Sequence, residues 1–502
     1  MSGEATFRPG PAERVPEPRP DVDWNAVRRV HLMGIGGSAM GNFAGMLAAA
    51  GLEVRGSDAG VFDPMRANLL RWEIPFETGY RAENLDWGPD LVIVGNVIRR
   101  DNPEAEAMRA RALPYASFPE ALGEWLLRGR TPVVVCGTHG KTTTTSLTAV
   151  LLDKCGLQPG VLVGGVPLDL GRSFQRGADG APFVLEGDEY DTAYYDKRPK
   201  FVHYRPHHAI LTSIEFDHAD IYPDFDAVQR AFRLLARLVD PAGLLVAWGE
   251  DERVTAVLED ARCRVLRYGL WQGEGTPAHL DVYARDVRLG EGRTDFELVL
   301  NGRSLGRWIS KIPGLHNVRN TVAALAVCLD LGADREALCA ALAAFSGVKK
   351  RQELRGVEAG VAVIDDYAHH PTAVLETVAA IRAAWPGRKL WALFEAESNT
   401  SRRKVFQRAY VEAFAATGAD EVIFCSPLRK AGDAGSDDYL DCGALVAELG
   451  DVGVRARYLP EVEAIVDTVA TEAGSGDVVL AMSGRDFRGL HGALLEKLRA
   501  RT

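Results

Sequence analysis

Short apolar runs recur along this chain. They include Val30-His31-Leu32-Met33, Leu91-Val92-Ile93-Val94, Pro132 to Val135, Phe183-Val184-Leu185, Ala209-Ile210-Leu211 and Val361-Ala362-Val363-Ile364. Continuous runs of this length mark strands buried on both faces, as in a parallel sheet. Between them lie helical stretches such as Met40 to Ala50 and Leu490 to Ala500, and a strand Leu52 to Arg55 that ends at Gly56-Ser57-Asp58. One stretch, Leu280 to Ile309, alternates instead (Phe296-Glu297-Leu298-Val299-Leu300), which predicts antiparallel pairing. Alternating strands and helices imply parallel sheets covered on both faces. The expected organisation is a leader, residues 1–24, then α/β domains at 25–128, 129–346 and 347–502.

Composition narrows the function. Asp and Glu number 69 against 58 Lys and Arg, a net charge of −11, which argues against a general nucleic-acid binder. An anionic ligand therefore needs locally placed cations and N–H groups. Cysteines 136, 155, 263, 328, 339, 425 and 442 show no C-x-x-C pairing, the usage expected of free thiols in a reducing compartment. No apolar stretch is long enough to cross a bilayer, so no membrane partner is expected, and a cytoplasmic location is. The Pro-, Glu- and Arg-rich start, Met1 to Asp23, predicts a disordered leader.

The strongest chemical signal is Gly137-Thr138-His139-Gly140-Lys141-Thr142-Thr143, after the strand Val133-Val134-Val135 and before a helix expected from Ser146. Glycines let N–H groups turn around phosphate oxygens, the lysine offsets phosphate charge, and the following hydroxyl can hold Mg²⁺. Two glycine-spacing residues replace the usual four. Two acidic sites follow strands, Glu186-Gly187-Asp188-Glu189 and Glu215-Phe216-Asp217-His218. Carboxyl ends of parallel strands collect ligands, so Thr142, Glu186 and His218 are candidate metal ligands. The first domain carries Gly34-Ile35-Gly36-Gly37-Ser38-Ala39-Met40-Gly41 with Asp58 at the next strand's end. A nicotinamide-dependent oxidoreductase fits that fingerprint, but any diphosphate docked on a helix N-terminus fits equally, and a dehydrogenase needs no second phosphate loop. Gly314-Leu315-His316-Asn317-Val318-Arg319-Asn320 reads as a helix start, and Asp365-Asp366-Tyr367-Ala368-His369-His370-Pro371 follows a strand; the latter suits nucleotide contact better than zinc.

Together these motifs resemble the Mur ligase family, over nearly the whole chain after the leader. The resemblance implies an N-terminal Rossmann-like domain, a central P-loop ATPase-type parallel sheet and a C-terminal Rossmann-like α/β domain. It implies ATP on Gly137 to Thr143 with Mg²⁺, Asn317 at the adenine, Asp366 near the ribose and Arg351 on the phosphates. Lys141, Glu186, His218 and Arg351 are then the expected catalytic groups. Gly34, Gly36, Gly37, Asp58 and Asn96 would dock UDP-N-acetylmuramate, and Ser398 and Asn399 the incoming amino component. Gly34 to Gly37 is similar to the branch that takes UDP-N-acetylmuramate itself. Within that branch, Gly95-Asn96, Glu189 to Asp196, Glu215 to Asp220 and Ser398-Asn399-Thr400 look like the members that add a whole recycled tripeptide rather than L-alanine. Two departures stand out in the third domain. Ala396-Glu397 replaces the pattern's Pro-Arg, and Gly484-Arg485-Asp486-Phe487-Arg488 replaces Asn-Gly-x-Phe-Gly. No lysine lies in Ala219 to Leu238, so a carbamate bridge is not expected there. A monomer or weak homo-oligomer, with no nucleic-acid partner, completes the expectation. A sensor that binds a UDP-sugar without turnover is the non-catalytic alternative.

Overall fold

The computed structural model describes residues 11–63, 65–218, 221–290, 292–397, 401–427 and 438–501. They form two compact units. The first is Met1–Thr145 with Gly156–Gly164 and Ser173–Leu266; the second is Ser146–Cys155 with Gly165–Arg172 and Arg267–Thr502.

In the first unit, β1 (Arg29–Met33), β2 (Glu53–Asp58), β3 (Phe76–Thr78), β4 (Leu91–Val94) and β5 (Tyr115–Ser117) form a parallel sheet in the order β3-β2-β1-β4-β5. The winding reverses at β1, and there the chain turns through Gly34–Gly37 into the helix Ser38–Ala49. Ligands bind at such reversals in open α/β sheets. The same unit holds β6 (Thr131–Cys136), β7 (Gly160–Leu162), β8 (Phe174–Gln175), β9 (Pro182–Gly187), β10 (His208–Leu211) and β11 (Leu244–Trp248), ordered β11-β10-β6-β9-β7-β8. All these pairs are parallel except β7 with β8. Val133, Val134 and Val135 of β6 are 0% exposed, as expected for a central strand.

The chain leaves the first unit inside β12 (Arg264–Trp271). In the second unit β13 (Val282–Gly290), β14 (Arg293–Leu300) and β15 (Arg303–Ser310) are antiparallel, as their alternation predicts. A further sheet contains β16 (Glu353–Glu358), β17 (Val361–Asp366), β18 (Leu390–Glu395), β19 (Glu421–Phe424), β20 (Ala456–Tyr458) and β21 (Val478–Ser483), ordered β16-β17-β21-β18-β19-β20. Successive β17 residues face opposite cores, Ala362 and Ile364 on one side, Val361 and Val363 on the other.

Three expectations shift. The helix after the phosphate loop starts at Lys141, not Ser146, because Gly140 (φ 79) turns the chain directly into it. Its run of β-branched threonines hides the helix from propensity. The second strand extends to Asp58. Residues 11–24, expected to be disordered, engage the first unit: Pro11–Glu13 is a 3₁₀ turn and the Glu17 N–H donates to the Tyr195 carbonyl at 2.9 Å. Arg19 also pairs with Glu120, and Glu13 with Arg230. Among the described residues, no helix is long and apolar enough to cross a membrane.

Candidate active site

β6 delivers the chain to Gly137, whose φ of 125° and crowding exclude any side chain: a Cβ there would lie 2.2 Å from Thr212 Oγ1. The loop is fastened to the segment after β10. Thr138 N–H donates to the Ser213 carbonyl (2.9 Å) and His139 N–H to Ser213 Oγ (3.0 Å). The helix Lys141–Lys154 then presents its N-terminus, whose first N–H groups the helical ladder does not use and where negative charge is favoured. Lys141 Nζ donates to the Gly137 carbonyl at 2.5 Å and to both Glu189 carboxylate oxygens at 3.1 and 2.9 Å. Burial opposes its charge, but the Glu189 and Asp188 carboxylates outweigh that and hold its pKa above the usual lysine range.

The parallel register of β6 with β9 sets Glu186 beside Val135, so the acidic run emerges next to the phosphate loop. Glu186 accepts from the Gly164 N–H at 2.7 Å. Glu189, 2% exposed, also faces His218 Nε2 at 3.4 Å. His218 is held in a left-handed conformation (φ 55), and Tyr190 meets its ring edge-on at 5.1 Å. Burial alone would lower the imidazole's pKa, yet Glu189, Asp217 and Asp188 push it up to about 9. Asp188 pairs with Lys200 and, despite burial, is held below the usual carboxylate range by Lys200, Lys141 and His218. Ligand atoms of Asp188, Glu189 and His218 all lie within 4.8 Å of one another. Carboxylate oxygens with one imidazole, beside a lysine at a helix N-terminus, suit a hard divalent cation and a phosphoryl group. Sequence reasoning named Glu186 and His218 but passed over Glu189, which joins Lys141 to His218.

In the second unit one residue ties together two distant motifs. Asn317 opens the helix Leu315–Asp330 as its third residue, with Gly314 rather than an asparagine at the cap. Its Nδ2 donates to the Pro313 carbonyl (2.7 Å) and to Gln352 Oε1 (3.3 Å). The Gln352 N–H donates to Asp366 Oδ2 (2.8 Å), and the Ala368 N–H to Asp366 Oδ1 (2.7 Å). Asn317 and Asp366 are thus neighbours through Gln352, a residue the sequence does not single out. Burial pushes the Asp366 carboxyl up to about 6, against the opposing pull of Arg351. Arg351 sits between two left-handed residues, Lys350 (φ 57) and Gln352 (φ 51), with its guanidinium 4.6 Å over the Tyr367 ring. Strain of this kind persists where the surroundings fix one side-chain direction.

At the reversal point beside β1, Asp58 organises the glycine turn. Gly36 N–H donates to Asp58 Oδ2 (2.9 Å) and Gly60 N–H to Oδ1 (3.2 Å), while Gly34 and Ile35 N–H groups donate to the Ser57 carbonyl (2.8 and 3.1 Å). A Cβ on Gly36 would lie 3.0 Å from Asp58 Oδ2, so a side chain there would push on the carboxylate that holds the turn. Gly37 caps the helix Ser38–Ala49, and Asn96 is exposed on the turn after β4. Behind this turn a buried cluster converges on Glu104. Its Oε1 takes His31 Nε2 (2.6 Å) and Ser57 Oγ (2.7 Å), and its Oε2 takes Asn84 Nδ2 (2.7 Å). Ser398 and Asn399 lie outside the described residues.

Three family models match the chain in succession. They are the Mur ligase family catalytic domain (29–130), the Mur ligase middle domain (135–328) and the Mur ligase glutamate ligase domain (350–485). The chain is 36% identical over 475 residues to the UDP-N-acetylmuramate–L-alanyl-γ-D-glutamyl-meso-2,6-diaminoheptandioate ligase of Escherichia coli (strain K12), covering 94% of this chain and 98% of that protein. It is also 36% identical, over 453 residues, to the UDP-N-acetylmuramate–L-alanine ligase of Arthrobacter sp. (strain FB24), covering 89% and 90%. The crystal structure of a murein peptide ligase from Psychrobacter arcticus superposes with a TM-score of 0.67 at 32% identity, covering 94% of this chain and 98% of that one.

Proposed function

The chain belongs to the Mur ligase family of ATP-dependent amide-bond ligases, and from that premise we propose that it joins L-alanyl-γ-D-glutamyl-meso-diaminopimelate to the carboxylate of UDP-N-acetylmuramate. The observation that carries the chemistry is Lys141, held at a helix N-terminus between the Gly137 carbonyl and the Glu189 carboxylate. An ammonium so placed stabilises charge on a transferring γ-phosphoryl group without reorganising. The glutamate keeps it charged until phosphate arrives. The relatives' activity and the local strings around Glu189 and His218 support the tripeptide over L-alanine as the amino component.

In this proposal residues 25–128 hold the UDP through Gly34, Gly36, Gly37, Asp58 and Asn96. Residues 129–346 bind ATP phosphates on Gly137 to Thr143, and residues 347–502 take the amino component, with Ser398 and Asn399 among its contacts. Asn317 and Asp366 contact the adenosine, and Arg351 offers a second cation to the phosphates. Thr142, Glu186 and His218, with Asp188 and Glu189 beside them, would hold Mg²⁺, which when bound neutralises phosphate charge. Phosphoryl transfer to the muramoyl carboxylate gives an acyl phosphate; the peptide amine attacks its carbonyl, and collapse releases phosphate and the amide. The proposal has the protein working in the cytoplasm, where these substrates are made, as a monomer or weak homo-oligomer.

Phosphate release with Mg-ATP, UDP-N-acetylmuramate and the tripeptide tests this, read with the mass of the UDP product. Release coupled to a mass gain of one tripeptide is the expected outcome. Folded protein that releases none would overturn it.

A further inference from the structure

The sheet of β16–β21 brings two carboxylates and two guanidinium groups to one rim. β18 and β21 are adjacent and parallel, with Glu395 paired to Ser483 in register. The helix after β18, Gln407–Thr417, packs on one face through Tyr410 and Phe414; the helix after β21, Leu490–Arg499, packs on the other through Leu490 and Leu494. Neighbouring parallel strands whose chains leave to opposite faces open a crevice at their carboxyl ends, where ligands bind. Glu395, 1% exposed, accepts from Ser483 Oγ at 2.7 Å and meets Arg488 Nε at 2.8 Å. Two residues on, the Glu397 side chain is 10% exposed and meets Arg485 Nε at 2.7 Å, while the Arg485 side chain stays 67% exposed. The segment carrying both arginines passes through three consecutive left-handed residues, Phe487 (φ 49), Arg488 (φ 50) and Gly489 (φ 77), and is pinned by the fully buried Phe487 ring. A surface arginine needs no such support. Here a strained turn and a nearly buried carboxylate together aim an exposed guanidinium over the crevice.

We propose that Glu397 and Arg485 form a receptor for an α-amino-acid zwitterion at the far end of the incoming peptide, its carboxylate on Arg485 and its ammonium on Glu397. This rests on the ligase activity above. The tripeptide's diaminopimelate has such an end, because one amino group is used in the γ-glutamyl bond and the distant carbon keeps both charges. L-Alanine, whose amine is the nucleophile, has none.

The full-length enzyme is assayed with three tripeptides ending in meso-diaminopimelate, L-lysine (far carboxylate absent) or 2-aminopimelate (far ammonium absent). Wild type should show a KM about tenfold or more higher for each analogue, the scale of one charge-assisted hydrogen bond, with kcat nearly unchanged. R485A should abolish discrimination against the lysine peptide, and E397Q that against the aminopimelate peptide, with KM for ATP and the UDP-sugar unchanged. Turnover of all three peptides with equal KM, or discrimination that survives both substitutions, overturns the receptor and leaves the ligase standing. Absence of turnover with any tripeptide overturns both.

Discussion

Replacing Glu104 by alanine tests how the buried interior of the first sheet supports the turn proposed to bind UDP. Glu104 is fully buried, and removing it leaves the His31, Ser57 and Asn84 donors without their shared acceptor. Each orphaned buried donor costs about 1–3 kcal/mol, so losing an acceptor shared by three of them costs about 4 kcal/mol or more. A loss of about 4 kcal/mol from the first unit lowers its melting temperature by roughly 8–16 °C for a domain of this size. Urea titration with hydrogen exchange read on β1 and β4 reports this unit by itself. Burial raises the Glu104 pKa, but His31, Ser57 and Asn84 hold it below the ordinary value of 4.5. The carboxylate's contribution is therefore present above that ordinary value and lost as pH falls through the lowered one. The gap between wild type and E104A should narrow as pH falls below 4.5. Because Ser57 also carries the carbonyl that holds Gly34 and Ile35, KM for the UDP-sugar should rise while KM for ATP does not. An unchanged unfolding midpoint together with an unchanged UDP-sugar KM would show that Glu104 supports neither the sheet nor the turn.

Lys141→Ala should cut phosphate release by about 10³-fold or more while leaving calorimetric binding of the UDP-sugar intact, since the lysine is proposed to act on the transferring group. Gly36→Ala should raise the UDP-sugar KM about tenfold, because the added Cβ presses on Asp58 Oδ2 and the Gly60 carbonyl at 3.0 and 3.2 Å, and kinetics with saturating ATP checks it. Asp366, ordinarily 3.8, is raised to about 6 by burial, so its contribution to stability is full below pH 3.8 and lost as pH rises through 6. Chemical denaturation at pH 4 and 7.5 should therefore show D366N gaining up to about 3 kcal/mol on wild type across that interval, with a raised KM for ATP.

The parallel strands could be read from sequence because their apolar runs are continuous apart from His31 in β1; Leu91–Val94 coincides with its strand residue for residue. The antiparallel trio around Phe296 followed from alternation alone. The helix start at Lys141 did not, since Thr142 to Thr145 weaken helical propensity and only Gly140's left-handed turn fixes the boundary. Within Glu186-Gly187-Asp188-Glu189 the sequence offers three carboxylates, and the position at the strand end singles out Glu186 rather than Glu189. The β6–β9 register and the reach of Lys141 make Glu189 the bridging one. Gln352 was invisible because its role depends on a left-handed backbone that presents its N–H to Asp366 and its side chain to Asn317. Glu397 and Arg485 were each visible as departures from the family pattern. That they meet depends on β18 and β21 being neighbours, which requires the chain to return through β20 before inserting β21.

The choice of tripeptide over L-alanine is decided in one competition reaction containing Mg-ATP, UDP-N-acetylmuramate and equimolar L-alanine and tripeptide, with the UDP products separated by mass. A tripeptide ligase yields a product heavier by the whole tripeptide and almost no alanine adduct. A product carrying only alanine would contradict that assignment.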